Sequence, residues 1–405
     1  MYGPIARFAV SLLTFAGCAL AQSGAYSNIV EYPSPGSIGF YSNITTGPDG
    51  ALWFTENYAN SIGRMTTAGV AVEYPVPTRS AGLFGITAGS DGALWFAEQI
   101  GKIGRITTDG AITEYPLPNL GGSPNWITAG PDGALWYADF TGNRIGRITT
   151  SGVFSVYPVP NGGNPAGITA GPDGALWFTQ QNANQIGRIT TEGVITAEYS
   201  VAEASQPYGI TAGPDGALWF AEYDSHQIGR ITTDGVITQY PLSGGPFYVT
   251  AGPDGAIWFT ERLVRKLGRI TTSGVVTEYP AKGVPYGITA GPDGALWSVG
   301  DVGEVNRIPA CGLGFSTSFA DGTLTLNFDL GIDTPATLNI LLLNSAGVPF
   351  GKPFTYQIPA VAPPAPYTMN WTPFPDEGMV TVKPVLTAGP GQAICSEWKT
   401  VNTAQ

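Results

Sequence analysis

Histidine occurs once in this 405-residue chain, and cysteine three times. A serine–histidine triad therefore has only His226 to draw on, and that residue falls in a loop, where a solvated histidine is the ordinary outcome. Cations are scarce too. Eighteen Lys and Arg against 30 Asp and Glu leave a net charge of −12. Nucleic acid needs a basic footprint and an anionic membrane attracts one, so both are excluded as partners. Charged residues reach only 12%, against 43% hydrophobic residues, 56 Gly and 34 Pro. That balance is too apolar for disorder and suits a turn-rich all-β chain, long enough for two domains.

The one extended apolar run, residues 8–20, is too short to span a membrane. It follows Arg7 and ends at Ala19-Leu20-Ala21, a small-x-small cleavage site. Residues 1–21 thus read as a signal peptide, and the protein is expected to be secreted or periplasmic. The alternative is a lipoprotein anchor at Cys18, although Phe15 is a poor opening residue for a lipobox. Cleavage leaves Cys311 and Cys395, which in an exported protein are expected to form a disulfide. Cysteine catalysis then has no free thiol.

Self-similarity dominates the rest. The sequence ITAGPDGALWF stands at 168–178 and again at 210–220. Its tryptophan recurs at Trp53, Trp95, Trp136, Trp177, Trp219, Trp258 and Trp297, spaced 39 to 42 residues apart. An arginine follows each, at Arg64, Arg105, Arg147, Arg188, Arg230, Arg269 and Arg307. In the fifth repeat, segments 208–212, 217–222, 227–232 and 236–240 read as four short strands separated by Pro-Asp-Gly and Thr-Asp-Gly turns. The second strand is apolar on both faces, which suits a sheet sandwiched between sheets. Four strands in about 40 residues, repeated seven times, predict a seven-bladed β-propeller; a β-solenoid has much shorter rungs.

The outer strand carries a Glu-Tyr-Pro marker. It follows the first six repeats, beginning at Glu73, Glu114, Val156, Glu198, Gln239 and Glu278, and also precedes them all at Glu31. None follows Arg307. Residues 28–32 are therefore expected to complete the seventh blade beside 304–308 and close the ring. The expected domains are 22–308, the propeller, and 309–405, a small β-sandwich-like domain with strands near 323–329, 337–343 and 379–386. A cap or spacer is the expected role of the latter, with a binding domain as the alternative. A monomer is expected.

Function is expected where repeats differ. The GPDG loops offer one carboxylate each, too few for calcium. The arginines, present in every blade, read as blade-to-blade anchors. Two residues before the isoleucine of each first strand (Val249 in the sixth) stand Ser42, Phe84, Asn125, Ala166, Tyr208, Phe247 and Tyr286. Second strands end at Glu56, Glu98, Asp139, Gln180, Glu222, Glu261 and Gly300. An aromatic arc near a ring of carboxylates suits a small cyclic peptide, a sugar or a lactone-like ligand. The candidate binding residues are Phe84, Tyr208, Glu222, Phe247, Glu261, Tyr286 and Asp301.

The repeat, with its AGPDGALWF, IGRIT and EYP elements, resembles the virginiamycin B lyase, or streptogramin lyase, family over about residues 27–308. The resemblance implies a seven-bladed propeller that opens a cyclic depsipeptide at its ester by elimination. It implies histidines at the slots of Phe247 and Tyr286, and Mg²⁺ held by glutamates at the slot of Val284 and after the seventh second strand. Here both histidine slots are aromatic, one metal slot is valine, and Asp301 is the remaining carboxylate. The sequence thus favours a non-catalytic binding or interaction module. The alternative is an enzyme, either a diverged lyase or a metal-dependent lactonase-like propeller using Glu222, Glu261 and Asp301.

Overall fold

The computed structural model describes residues 29–33, 41–118, 121–281, 283–301 and 303–308, and strands between 313 and 402. The signal-peptide segment, Cys18 and Cys311 lie outside the described residues, so the cleavage, lipidation and disulfide expectations are not addressed by it. Ile29–Ile308 forms one compact unit of seven four-stranded antiparallel sheets. The first blade runs Tyr41–Thr46, Leu52–Glu56, Ser61–Met65 and Ala71–Pro75, from the innermost strand outward. The fifth runs Pro207–Ala212, Leu218–Glu222, Gln227–Ile231 and Ile237–Pro241, each within one residue of the expected bounds. One 3-10 turn, Pro160–Gly162, interrupts the pattern, and the described residues contain no α-helix.

Three inner strands of the seventh blade, Pro285–Ala290, Leu296–Gly300 and Glu304–Ile308, come from the end of the unit. Its outer strand is Val30–Pro33, antiparallel to Glu304–Ile308 with Val30 opposite Arg307 and Pro33 opposite Glu304. Tyr32 stacks on Trp297 at 5.5 Å and 17°. The same Trp–Tyr stack occurs in all the other blades, at 5.5–5.9 Å, so the borrowed strand reproduces the local chemistry of a contiguous one.

Each second strand is buried along its length because both faces are covered. Between blades one and two, Trp53 and Ile62 pack against Leu94, Phe96 and Ile106. The GPDG aspartate organises the hairpin. Asp49 accepts the Ala51 amide, the Trp53 indole N–H at 3.0 Å and Arg64 Nε at 2.7 Å. Burial works against its ionisation, but the Trp53 and Arg64 hydrogen bonds hold its carboxyl below the usual range.

The arginine–aspartate clasp recurs in every blade at 2.6–2.7 Å. This corrects the reading of these arginines as blade-to-blade anchors. Trp53 sits directly opposite Arg64 in the ladder, so the guanidinium reaches its own hairpin first. Contact between blades is made in part by glycine on tyrosine. Gly110 of the second blade, at φ +96°, lies where a β-carbon would strike the Tyr74 ring of the first.

The C-terminal strands form two further antiparallel sheets. Leu313–Ala320, Thr323–Leu330 and Pro366–Trp371 make one; Phe354–Ile358, Ala336–Leu343, Met379–Ala388, Gln392–Cys395 and Lys399–Asn402 make the other.

Candidate functional site at the propeller axis

The innermost strands share one irregularity. In each blade the ladder to the second strand shifts register, as between Tyr41 and Ile44 or between Pro207 and Ile210. A bulge sets extra residues against the partner strand and re-aims side chains. The first bulge slot holds the aromatic arc read from the sequence. The second holds Asn43, Gly85, Gly167, Gly209, Tyr248 and Gly287; its equivalent in blade three, Trp126, is paired with Ala138.

Glycine at the second slot has a steric cause. A β-carbon on Gly85 would lie 2.7 Å from the Asn125 carbonyl, and one on Gly209 2.7 Å from that of Phe247. Asn43, Trp126 and Tyr248 break the pattern, and the rings of the last two meet at 4.3 Å. Phe84 packs on both, at 6.0 and 6.5 Å. Tyr208 meets Phe247 at 4.2 Å, and Tyr286 meets the edge of Phe247 at 6.3 Å. Rings from blades two, three, five, six and seven therefore join in a single aromatic plug. Phe247, Tyr248, Trp126 and Tyr286 are each 8% exposed or less.

The structure thus brings Phe84, Tyr208, Phe247 and Tyr286 together. Trp126 and Tyr248 were missed by sequence reasoning; the visible signal was a large residue in a column otherwise rich in glycine. Also missed was Arg262, the first residue after the second strand of blade six. Its guanidinium lies 3.9 Å from the Tyr286 ring centroid and 4.5 Å from that of Phe247, and it donates a hydrogen bond to Tyr286 Oη.

The carboxylates do not join this cluster. Those ending the second strands turn onto the sheet face and meet a side chain of the third or the outer strand of their own blade. The third-strand glycine makes this possible: a β-carbon on Gly63 would collide with the Phe54 ring and come 2.8 Å from Glu56 Oε1. Glu222 accepts two contacts from Gln239 Nε2, at 2.8 and 2.7 Å, and one from Ser225 Oγ. Gln180 donates to Glu198 at 2.8 Å. Asp139 accepts Arg144 Nε at 2.6 Å. In blades one, two and six both partners are acids.

There the proton settles on the buried member. Burial and the neighbouring Glu114 push Glu98 up to about 8. Lys102 at 3.0 Å and Thr78 keep Glu114 below its usual value despite its own burial. Burial and Glu278 likewise raise Glu261 to about 7, while Lys266 at 2.7 Å and Ser243 hold Glu278 down against its burial. Glu56 is raised to about 7, chiefly by burial and against the Ser61 hydrogen bond.

Asp301 sits beside Val284, accepting its amide at 3.0 Å and returning its own N–H to the Val284 carbonyl at 3.2 Å. Glu222, Glu261 and Asp301 stand in three separate blades with separate partners. Among the described residues no three acidic, histidine or cysteine side chains converge on a metal-sized site. The donor set therefore does not fit the divalent cation that the resemblance implies: one carboxylate, already accepting a backbone N–H, faces a valine. Convergence of those three acids, the basis of the lactonase alternative, is not found. His226 is exposed, at φ +55°, in the left-handed turn position that Asn60, Asn143, Asn184 and Arg265 hold in other blades.

Seven four-stranded sheets, the last completed by an N-terminal strand, define a seven-bladed β-propeller. The virginiamycin B lyase family model matches residues 16–168 and 124–313, and the chain belongs to that family. Virginiamycin B lyase from Staphylococcus aureus, in its selenomethionine form, is 40% identical at a TM-score of 0.67, over 69% of this chain and 98% of that one. A streptogramin B lyase structure is 39% identical at 0.67, covering 70% and 99%. A catalytically inactive histidine-to-alanine variant of the S. aureus enzyme, with quinupristin, is 40% identical at 0.66, covering 69% and 98%. No curated protein matches the chain significantly.

Proposed function

We propose that this chain is an exported ligand-binding or interaction module on the virginiamycin B lyase scaffold, and that it does not run the family's elimination. The observation that carries this is the fate of the two histidine slots. Phe247 has no lone pair to take a proton. Tyr286 has its hydroxyl engaged by Arg262; burial raises its pKa, and the Arg262 charge and hydrogen bond only partly offset that. It is therefore protonated at neutral pH and a poor general base. Loss of a positioned base costs about 10²- to 10⁴-fold.

What is left at the axis is a set of rings suited to a compact ligand with apolar faces, such as a small cyclic peptide, a sugar or a lactone. The inactive relative solved with quinupristin supports the idea that the scaffold can bind without turning over. The test incubates purified protein with Mg²⁺ and a streptogramin B antibiotic and seeks the linear product by mass spectrometry. No product is expected, together with saturable binding that is lost in Tyr208→Ala or Phe247→Ala. Turnover abolished by Tyr286→Phe would overturn the reading.

A further inference from the structure

Most of the described cations of this propeller are paired. The seven repeat arginines each hold an aspartate, Arg144 holds Asp139, and Lys102 and Lys266 hold glutamates. Arg79 and Arg265 have no such partner among the described residues but are exposed to water. Arg262 is different. It is half-buried, has no carboxylate partner among the described residues, and carries an Nε that is buried without an acceptor. Two rings pack against it: the Tyr286 centroid lies 3.9 Å and the Phe247 centroid 4.5 Å from its Cζ. Its charge also bears on the Tyr208 and Tyr248 hydroxyls, so it stands over the inner strands of blades five to seven.

A guanidinium is desolvated on the sides where aromatic rings lie, and its N–H groups bond in its own plane, through its edge. Leaving a buried charged donor unpaired is costly, and a planar carboxylate answers an arginine edge with two parallel hydrogen bonds. We propose that Arg262 is a recognition residue for the carboxylate of a small ligand whose apolar or aromatic body rests on the axial rings. A monoanion fits better than a polyanion, because the net charge of −12 repels concentrated negative charge at long range. Apolar surface for the body is at hand: Tyr58, 77% exposed, acts on the Tyr286 hydroxyl, and Leu263, 63% exposed, follows Arg262 directly. This rests on reading the axial mouth as a binding site and names the chemistry it selects.

The test compares N-acetylphenylalanine and indole-3-acetate with their uncharged amides by ligand-observed NMR on the full chain. The acids are expected to bind about tenfold or more tightly than the amides. Arg262→Gln should erase that preference with an unchanged melting temperature, and Arg262→Lys should retain part of it. Phe247→Ala should weaken acid and amide alike. Equal affinity for acid and amide in the unaltered protein overturns the role of Arg262, whatever the variants do. If that equal binding is still lost in Phe247→Ala, the axial binding site survives; turnover of the antibiotic would instead remove the module reading itself. Failure of both acids and both amides to bind overturns the proposal as well.

Discussion

Trp126 of the third blade and Tyr248 of the sixth meet with ring centroids 4.3 Å apart and planes 31° apart. No pair in adjacent blades could close the axis in this way, because the two approach from opposite sides of the ring. Deleting one side of the contact leaves a void that its neighbours cannot fill. Trp126→Ala is expected to destabilise the propeller by about 3–5 kcal/mol, seen as a lowered melting temperature in calorimetry. A change under about 1 kcal/mol would mean that the plug is loosely packed.

Tyr248→Phe should act in the opposite direction. The Tyr248 hydroxyl is buried and has no hydrogen-bond partner among the described residues. Removing it relieves the desolvation of an orphaned group at no loss of ring contact, so stability should rise by about 1 kcal/mol. Chemical denaturation of the two proteins side by side measures this.

Blade number, ring closure and strand order were all legible, because a column repeated seven times averages out the ambiguity of any one strand. The Glu-Tyr-Pro marker ahead of the first tryptophan was enough to assign Tyr32 to the seventh blade. The axis was only half legible. Strict alternation allots one inward residue to that part of each inner strand, whereas the bulge supplies two, so Phe247 was found and Tyr248 was not. The carboxylates were misplaced for a related reason. Glu222 ends its strand at the variable face, but Gly229 leaves a hollow on the sheet that its carboxylate enters, and a side chain's direction is set by such hollows rather than by loop membership. Arg262 fell in a column with no repeat consensus, which hides a singular residue.

Ring closure makes a local prediction. Within the closing strand, Tyr32 stacks on Trp297 at 5.5 Å. Tyr32→Ala should free that strand and expose the ladder of Glu304–Ile308, whereas Tyr74→Ala in the first blade removes an equivalent ring from a strand continuous with its hairpin. Amide hydrogen exchange should therefore accelerate in the seventh blade for Tyr32→Ala more than in the first blade for Tyr74→Ala. Equal effects would show that closure adds nothing beyond the stack.

The acid pairs make stability depend on pH. Glu56, Glu98 and Glu261 have folded values near 7, 8 and 7, raised above the ordinary 4.5 first by burial. The folded state then holds more protons than the unfolded one between pH 4.5 and about 8, so stability falls as pH rises through that window and levels off above it. Thermal melts at steps from pH 5 to 8.5 should decline accordingly. Glu98→Gln should flatten the decline between pH 6 and 8, since an amide opposite Glu114 repeats the pairing that Gln180 and Glu198 already make. A profile that rises towards pH 8 would contradict the assignment of the proton to the buried member.

Metal dependence should be absent here and recoverable by a single change. Mg²⁺ takes near-octahedral oxygen ligands and sheds its water reluctantly, so a protein must offer more than one charged oxygen to hold it in the absence of a phosphate. Asp301 offers one carboxylate, and Oδ1 of that group already accepts the Val284 amide at 3.0 Å. Millimolar Mg²⁺ or EDTA should leave the melting temperature of the unaltered protein unchanged. Val284→Glu places a second carboxylate on the residue that Asp301 already contacts, and the two negative charges should repel until a cation joins them. That variant is expected to melt lower than the parent in EDTA and to regain stability as Mg²⁺ is added, by RT ln(1 + [Mg²⁺]/Kd). A Mg²⁺-dependent melt in the unaltered protein would show that the propeller keeps a cation site built from other donors. A Val284→Glu protein indifferent to Mg²⁺ would show that building the cation site implied by the family resemblance needs more of the blade than this one side chain.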